Sequence, residues 1–247
     1  MKKSEPYTGI AETYDYMLRY VDYDQWYKFI RSIMLFYVQN PSSVLELGCG
    51  TGKFGAKFSS DHYKIIGIDK SISMLQVAKA RAFGNFRIIC ADISNFYLKK
   101  KFDFIFSVHD TMNYQLTEAG IKDILKSAKN VMHENSIFMF DVTTEYNVEK
   151  NFNNKTSFYK NRGIKVEWKN KYDREKKYVI SSFKILHENG DVYSEEHIQR
   201  IYSQEEIKSI LKDEGFEILH ICADYTYNRP EHDSVMINFI TKKRDQA

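Results

Sequence analysis

A glycine-rich turn between two apolar segments constrains this chain more than any other feature. Residues 44–47 read VLEL, a short apolar run that predicts a buried strand. Three glycines follow within residues 48–52, where flexible backbone lets a chain turn sharply and approach a ligand. A helix and a second strand, Lys64–Ile68, come next, and Asp69 ends that strand. This order predicts a nucleoside site in a parallel α/β sheet, with backbone amides near the ligand and the Asp69 carboxylate accepting hydrogen bonds from a ribose.

The spacing of these glycines separates one kind of nucleotide site from another. Residues 46–52 read E-L-G-C-G-T-G, which differs from the G-x-G-x-x-G pattern that holds the pyrophosphate of a dinucleotide. The chain also has no G-x-x-x-x-G-K-[ST] loop for a triphosphate. The pattern therefore indicates a nucleoside ligand other than NAD or ATP.

Length and composition bound the remaining possibilities. A chain of 247 residues with 43% hydrophobic and 28% charged residues suits one globular domain, or one domain with a sizeable insertion. The net charge of +3, from 36 basic and 33 acidic residues, is too balanced to indicate a nucleic-acid partner. The three cysteines have neither metal-ligand nor disulfide spacing, so we expect no metal site and a reducing, cytoplasmic location. No secretory signal and no apolar run near the ~20 residues of a membrane span are present, so we expect no membrane partner.

The first 40 residues are unusually rich in aromatic side chains. Between Trp26 and Tyr37, apolar residues recur at three- and four-residue steps, which predicts a helix with Asp24 as its N-cap. Residues 10–26 instead mix tyrosines with acids and have no clean apolar stripe. We expect this earlier part to form a lid.

Further along, apolar strands alternate with helical periodicity, and this alternation predicts a parallel sheet with right-handed crossovers. Beyond Thr144 the rhythm changes to strands with polar turns, which predicts an antiparallel insertion of strands 157–171, 177–187 and 192–202. Ser203 and Glu206 then form a capping box that opens a helix. We expect a lid over residues 1–40, a nucleoside-binding part over 41–145 and 203–247, and a substrate cap over 146–202.

Six segments together resemble the class I S-adenosylmethionine-dependent methyltransferases, and specifically the small single-domain group with an antiparallel insertion after the fifth strand, which includes sugar N-methyltransferases. They are TYDYMLRYVDYDQW, ELGCGTG, GIDKSISML, ADI, HDTMNYQLT and EEHIQRIYSQEEIKSILKDEGFEI. The resemblance implies an α/β fold, in which a Rossmann-like, seven-stranded, mostly parallel sheet carries helices on both faces. It also implies S-adenosylmethionine as the cofactor and S-adenosylhomocysteine as the product. One departure is VMHENS at residues 131–136, where the family usually has L-x-P-G-G.

The resemblance also implies roles for single residues. The glycines would lie against the methionyl and ribose parts of the cofactor, Glu46 would organise its amino-acid end, and Asp69 would bind the ribose. Met74 and Ile93 would enclose the adenine, Asp92 would accept from the adenine amine, and the backbone at Val108 would contact the methionine moiety. Tyr14 could face the sulfonium, because an aromatic ring stabilises a cation. The full set of expected cofactor residues is Tyr14, Glu46, Gly48, Cys49, Gly50, Gly52, Asp69, Lys70, Met74, Asp92, Ile93 and Val108.

Catalysis and acceptor binding leave weaker marks in the sequence. A nitrogen or oxygen nucleophile must lose a proton, and histidine takes protons near neutral pH, so His109 and His197 are candidate bases. Either could instead be a hydrogen-bonded structural histidine. Strand alternation puts His197 and Arg200 on opposite faces, so we do not expect them to act together. The expected acceptor-binding residues are Asn113, Tyr114, Arg200 and Tyr202.

The sequence therefore predicts a methyltransferase acting on nitrogen or oxygen of a small molecule, as a monomer or homodimer. A nucleic-acid methyltransferase is disfavoured by the near-neutral charge and by the lack of an N-P-P-Y or D-P-P-Y segment. A regulatory subunit that binds the cofactor without catalysis stays open as a third reading.

Overall fold

Two β-sheets carry the fold in the computed structural model, which describes residues 1–244. The strands, numbered in chain order, are β1 Lys2–Lys3, β2 Ser43–Leu47, β3 Lys64–Asp69, β4 Phe86–Cys90, β5 Phe102–Ser107, β6 Met132–Thr143, β7 Thr156–Asn161, β8 Ile164–Asp173, β9 Tyr178–Leu186, β10 Val192–Arg200, β11 Phe216–Ala223 and β12 Met236–Lys243. The larger sheet has seven strands in the order β11-β12-β6-β5-β2-β3-β4, and only β12 runs antiparallel to its neighbours. This confirms the predicted α/β fold with a mostly parallel seven-stranded sheet.

Helices cover both faces of this sheet. In chain order, the α-helices of the protein are α1 Ala11–Met17, α2 Tyr23–Tyr37, α3 Lys53–Ser60, α4 Ile72–Ala78, α5 Glu118–Asn130, α6 Glu145–Asn147 and α7 Gln204–Asp213. On β5, Phe104 and Phe106 face the apolar sides of α2 and α3, while Ile105 faces those of α5 and α7. Successive side chains of β5 therefore point into two apolar cores, one on each face, as expected for a parallel sheet buried on both faces. Parallel strands all end at the same edge of a sheet, so the loops that follow them and the amino ends of the next helices meet at that edge.

Helix caps match the sequence in two cases and differ in one. Ser71 accepts a hydrogen bond from the Met74 amide, and Ser203 with Glu206 forms the predicted capping box of α7. The N-cap of α2 is Asp22, whose carboxylate accepts from the amides of residues 24 and 25, so the prediction of Asp24 was wrong. Asp24 lies inside the first turn and pairs with Lys57 of α3.

The smaller sheet has the order β1-β10-β9-β8-β7. The predicted strand over residues 157–171 was wrong, because Arg162 and Gly163 both have positive φ angles, 46° and 77°, and form a two-residue turn between β7 and β8. The predicted turns before β9 and β10 are present. The pairing of β1 with β10 was not predicted, and it attaches the start of the chain to the insertion.

The departure at VMHENS lies at the start of β6. The pairing between β5 and β6 shifts register between Phe102 and Phe104, and the Ser136 hydroxyl ties the irregular segment together by accepting from the His133 amide and donating to the Phe102 carbonyl. This change lies at the amino end of β6, at the opposite edge from the strand tips. Among residues 1–244, no helix is long and apolar enough to cross a membrane.

Gly52 allows a stability prediction. Its φ of +78° is strained for any side chain, and a Cβ there would lie 2.9 Å from the Phe86 ring and 3.2 Å from Ala78. We expect Gly52→Ala to lower the free energy of unfolding by about 2–4 kcal/mol, from the left-handed backbone and the overpacking together. Urea unfolding, read as a shift of the midpoint at constant slope, measures this change.

Gly190 provides the matched control, because its φ is +88° but a Cβ there would meet nothing within 4 Å. Gly190→Ala should therefore cost only about 1 kcal/mol. Equal losses in the two variants would contradict the packing role of Gly52.

Candidate active site

A cavity of about 540 Å³ lies at the carboxyl ends of β2, β3, β4 and β5. All but one of the predicted cofactor residues line it, and they come from the glycine loop, the strand tips and the N-terminal segment. These lining residues are Tyr14, Glu46, Gly48, Cys49, Gly50, Asp69, Lys70, Met74, Asp92, Ile93 and Val108. The exception is Gly52, which lies outside the cavity lining and begins α3.

The glycine loop offers space to a ligand rather than hydrogen-bond donors. The amides of Gly48 and Cys49 donate to the Ile68 carbonyl, and the Gly52 amide donates to the Cys49 carbonyl. The Gly50 amide donates to Asp69 Oδ2 at 2.8 Å. These four amides are already satisfied within the protein, so they are not left free to donate to a ligand, and close approach of the loop backbone to the ligand stays a prediction. The absence of a side chain at Gly50 leaves room for a ligand, since a Cβ there would lie 3.3 Å from Met74 Cε at the cavity wall.

Carboxylates mark two positions along this cavity. Asp69 is held at the tip of β3 by the amides of Gly50 and Ser71, both at 2.8 Å, and burial raises its pKa. Glu46 is only 2% exposed, and its Oε2 has no hydrogen-bond partner within residues 1–244. Burial and the neighbouring Asp69 raise the pKa of Glu46 well above its usual range. A buried carboxyl oxygen without a partner is costly unless a ligand donates to it, so Glu46 fits a ligand with a donor group.

Asp92 combines a local and a cavity role. Its Oδ1 accepts from the amide and hydroxyl of Ser94, at 2.8 and 2.7 Å, which fixes the turn after β4. Burial alone would raise the pKa of Asp92, but these hydrogen bonds outweigh it and the pKa is lowered. The carboxylate therefore stays charged at the cavity wall.

A second, smaller cavity of about 90 Å³ lies next to the first, between the N-terminal segment, the end of β5 and the smaller sheet. The two cavities share the side chains Tyr7, Tyr14, His109 and Tyr114. Tyr7 and Tyr14 meet edge to face at 5.6 Å, and the hydroxyls of Tyr7 and Tyr114 are hydrogen-bonded at 2.5 Å. An aromatic partition thus separates a large cavity from a small one.

The N-terminal segment closes both cavities through Glu195 of β10, a carboxylate that is 2% exposed. This carboxylate accepts from the Tyr7 amide at 2.9 Å, from the Gly9 amide and from the Ser4 hydroxyl. On the other side, the Ser71 hydroxyl donates to the Tyr7 carbonyl at 3.2 Å. Tyr7 is therefore held between the smaller sheet and the helix that follows β3.

Asp15 of α1 ties the same segment to the glycine loop. It pairs with Arg81 at 2.7 Å and accepts from the Thr51 hydroxyl at 2.7 Å, while Lys53 lies 3.7 Å away. Arg81 also donates to the Thr51 carbonyl at 2.9 Å. The N-terminal segment therefore contacts the loop directly as well as through Tyr7.

The two candidate bases occupy different places. His109 lines both cavities, and burial together with the nearby Lys53 lowers its pKa to about 4. His197 is buried at 3% exposure and lines the second cavity only. Its Nδ1 lies 3.1 Å from the Tyr114 hydroxyl, and its Nε2 lies 3.1 Å from Glu195. Both ring nitrogens of His197 are therefore engaged within the protein.

Three of the four predicted acceptor residues line neither cavity. Asn113 is fully buried and bridges the Arg200 carbonyl, at 2.7 Å, to the Thr143 amide, at 3.0 Å. The Arg200 guanidinium pairs with Glu206 at 2.9 Å, and the Tyr202 hydroxyl donates to the Gln115 carbonyl. Their polar groups are used inside the fold, and only Tyr114 lines the cavities.

Sequence reasoning missed Asp110 and Gln199. Asp110 directly follows His109, and both residues have left-handed backbones, with φ of 62° and 50°. Their amides donate to the buried carboxylate of Asp141, each at 2.7 Å. Gln199 donates to Asp110 Oδ2 at 2.7 Å. The signal for Gln199 was available, because it has the same strand parity as His197 and so faces the same side.

Comparison with known proteins agrees with this geometry. Residues 44–135 match the family model described as a methyltransferase domain. YqeM of Bacillus subtilis (strain 168), named provisionally as a methyltransferase, is 27% identical over 96% of this chain and 97% of its own length.

Among solved structures, an S-adenosylmethionine-dependent methyltransferase from Clostridium acetobutylicum ATCC 824 is 26% identical with a TM-score of 0.82, covering 96% of this chain and 98% of that one. The sugar N-methyltransferase KedS8 from Streptoalloteichus sp ATCC 53650 has the same fold, with a TM-score of 0.76 at 16% identity over 94% of this chain and 93% of that one. These matches, the glycine loop and the acidic strand tips together identify an S-adenosylmethionine-dependent methyltransferase, whose methyltransferase domain lies at residues 44–135.

Proposed function

We propose that this methyltransferase moves a methyl group to a nitrogen or oxygen atom of a small molecule held in the second cavity. The observation that carries the proposal is the pair of adjoining cavities, one of about 540 Å³ and one of about 90 Å³, with four aromatic side chains in common. The small cavity has room for a compact reacting group. A base within a nucleic acid would have to enter between the N-terminal segment and the smaller sheet, which are joined through Glu195.

S-adenosylmethionine supplies, when bound, a methyl carbon attached to a positively charged sulfur. Asp69 would hold the ribose, and Glu46 would accept from the amino group at the other end. Met74 and Ile93 would enclose the adenine beside Asp92. Lys53 lines the same cavity and lies near His109, where its ammonium group would attract a carboxylate of the cofactor.

The aromatic partition fits the charge of the reacting centre. Burial raises the pKa values of Tyr7, Tyr14 and Tyr114 well above the usual range, so their phenols stay neutral near pH 7. Neutral aromatic rings stabilise a cation and exclude water from it. The methyl group would pass through this partition to the second cavity.

The walls of the second cavity are mainly aromatic and aliphatic, with a few polar groups. Trp168 contributes an indole N–H that is buried without a partner among the described residues, and Ser181 and Gln199 add hydroxyl and amide groups. A small molecule with an apolar body and one or two polar atoms matches this lining. We propose that residues 146–202 act with residues 1–40 as its cap.

The reaction itself tests the proposal. The protein, S-adenosylmethionine and panels of small amines and alcohols should yield methylated small molecules by mass spectrometry, with bulk transfer RNA as the competing substrate. Methyl transfer to the RNA but to none of the small molecules would overturn the proposal. Binding of S-adenosylhomocysteine with no transfer to any acceptor class would favour a non-catalytic subunit.

Asp69→Ala should weaken the binding of S-adenosylhomocysteine by about 1.5–3 kcal/mol, because a carboxylate that accepts hydrogen bonds from the ribose is lost. Isothermal titration calorimetry measures the affinity. The control is Asp103→Ala, which removes a carboxylate at the amino end of β5, where Asp103 accepts from Ser42 and Ser43. This control should lower stability and leave the affinity unchanged, and equal losses of affinity in both variants would remove Asp69 from the site.

Glu195→Ala should release the N-terminal segment, because the amides of Tyr7 and Gly9 lose their acceptor. We expect those amides to exchange hydrogen at least about tenfold faster in mass-spectrometric measurements. Glu196→Ala is the matched control, since Glu196 is the exposed neighbour on the opposite face of β10. Unchanged exchange in Glu195→Ala would show that the cap does not depend on this carboxylate.

A further inference from the structure

We propose that Asp110, held by Gln199, is an ammonium-binding site that positions the acceptor amine and takes its proton. The inference rests on the proposed function and narrows it from nitrogen or oxygen to an amine. It arises from the second cavity, whose lining includes the Asp110 carboxylate and, among the described residues, no lysine or arginine.

Geometry leaves one oxygen of this carboxylate free. Gln199 Nε2 donates to Asp110 Oδ2 at 2.7 Å and to the Asp110 carbonyl at 3.3 Å. Within residues 1–244, Oδ1 accepts no hydrogen bond. A carboxylate with one oxygen fixed and one available is oriented to receive a donor from a ligand.

The backbone at this point is held in an uncommon conformation. His109 and Asp110 are consecutive left-handed residues, and the Asp141 carboxylate accepts both of their amides. Strained backbone of this kind persists only when its surroundings fix it, and it concentrates at functional sites. Here it directs the chain so that His109 lines both cavities while Asp110 lines the second alone.

The surrounding rings favour a cation as the ligand. The second cavity is walled by Tyr7, Tyr14, Tyr114, Trp168 and Phe183. Such rings attract an ammonium group over their faces and repel an anion. A carboxylate at one end of an aromatic cavity is therefore complementary to a protonated amine.

The pKa of Asp110 fits the same assignment. Burial raises the pKa of Asp110 to about 7, with Asp141 adding to the rise and the hydrogen bond from Gln199 opposing it. A base near pH 7 is suited to proton transfer. The titratable groups that face Asp110 come from its own turn, from β6, from β10, from the turn after β11 and from the N-terminal segment. They are His109, Tyr114, Asp141, His197, Tyr225, Tyr7, Tyr14, Tyr20 and Tyr23.

The alternatives are weaker bases or are already engaged. The pKa of His109 is lowered to about 4, so this imidazole holds a proton poorly at neutral pH. His197 uses both ring nitrogens in contacts with Tyr114 and Glu195. Asp110 is the remaining group with a free basic atom in the second cavity.

The proton and electrons balance in two events. The bound ammonium gives one proton to Asp110 Oδ1, leaving a neutral amine and a carboxylic acid. The nitrogen lone pair then forms the bond to the methyl carbon while the carbon–sulfur bond breaks, and its electrons remain on sulfur. The products are a methylated ammonium and S-adenosylhomocysteine, and Asp110 returns its proton to water afterwards.

Propylamine is a suitable probe, because it is small enough for a cavity of about 90 Å³, and propanol is its neutral counterpart of similar shape. We expect propylamine to bind the complex with S-adenosylhomocysteine at least about tenfold more tightly than propanol, because one charge-assisted contact is added. Calorimetry in buffers of different ionisation enthalpy should show nearly one proton released per amine at about pH 6 and almost none at about pH 8.5. The sign follows because Asp110 is largely protonated below pH 7 and must ionise to hold the ammonium.

Two variants make the test specific. Asp110→Asn should abolish the proton release and the preference for the amine, and asparagine tolerates the left-handed backbone, so the variant should fold. Gln199→Met removes the hydrogen bond that favours the ionised carboxylate, so the midpoint of proton release should move to higher pH. A residue with only a structural role would not move this midpoint.

The outcomes separate the two proposals. Equal binding of propylamine and propanol, or proton release that persists in Asp110→Asn, would overturn the ammonium site even if small molecules are methylated. A normal proton-release profile without methyl transfer to any small molecule would overturn the proposed function and leave the ammonium site standing. Normal affinity of Asp110→Asn for S-adenosylhomocysteine confirms that the variant is folded.

Discussion

The carboxylate of Asp141 is the interaction on which the arrangement of the two cavities depends. It is fully buried in β6 and accepts the amides of His109 and Asp110 and the hydroxyl of Tyr225. Without it, the Asp110 amide would have no partner, at a cost of about 1–3 kcal/mol, and the His109 amide would keep only a long contact of 3.4 Å to the Tyr225 hydroxyl. Because it fixes two left-handed residues directly after β5, the chain leaves the strand with His109 between the cavities and Asp110 in the second cavity.

Glu195 accepts backbone amides of the N-terminal segment in the same way that Asp141 accepts those of the turn after β5. Each is a buried carboxylate that accepts amides from an irregular stretch of backbone. Such stretches cannot satisfy their own donors as a helix or strand does, so a side chain from a regular strand must supply the acceptor. Both irregular segments that border the second cavity are thereby attached to rigid strands.

The larger cavity could be predicted from the sequence because strand order decides where it lies. Once Glu46, Asp69 and Asp92 are recognised at the ends of adjacent parallel strands, their convergence at one edge follows from the topology. Gly52 escaped this logic, since its proximity to Phe86 depends on how α3 packs. The turn at Arg162 and Gly163 was missed because it has only two residues, and Arg-Gly is not one of the dipeptides that usually mark a hairpin.

The second cavity could not be predicted in the same way, because it is built from parts distant in the sequence. Asn113, Arg200 and Tyr202 have suitable chemistry, but their polar atoms are used for internal hydrogen bonds. Their polar side-chain atoms make hydrogen bonds within the protein, and none of the three residues lines either cavity. Residue type and spacing do not show whether a polar side chain makes hydrogen bonds inside the fold, because this depends on three-dimensional contacts.

Strand β10 contacts both the N-terminal segment and the residues of the second cavity. Glu195, His197 and Gln199 follow one another at every second residue and so share one face. The first holds the N-terminal segment, the second contacts Tyr114 of the partition, and the third holds Asp110. A displacement of this strand would therefore alter all three contacts together. Because burial is the largest cause of the raised pKa of Asp110, exposure of the second cavity to water would lower that pKa.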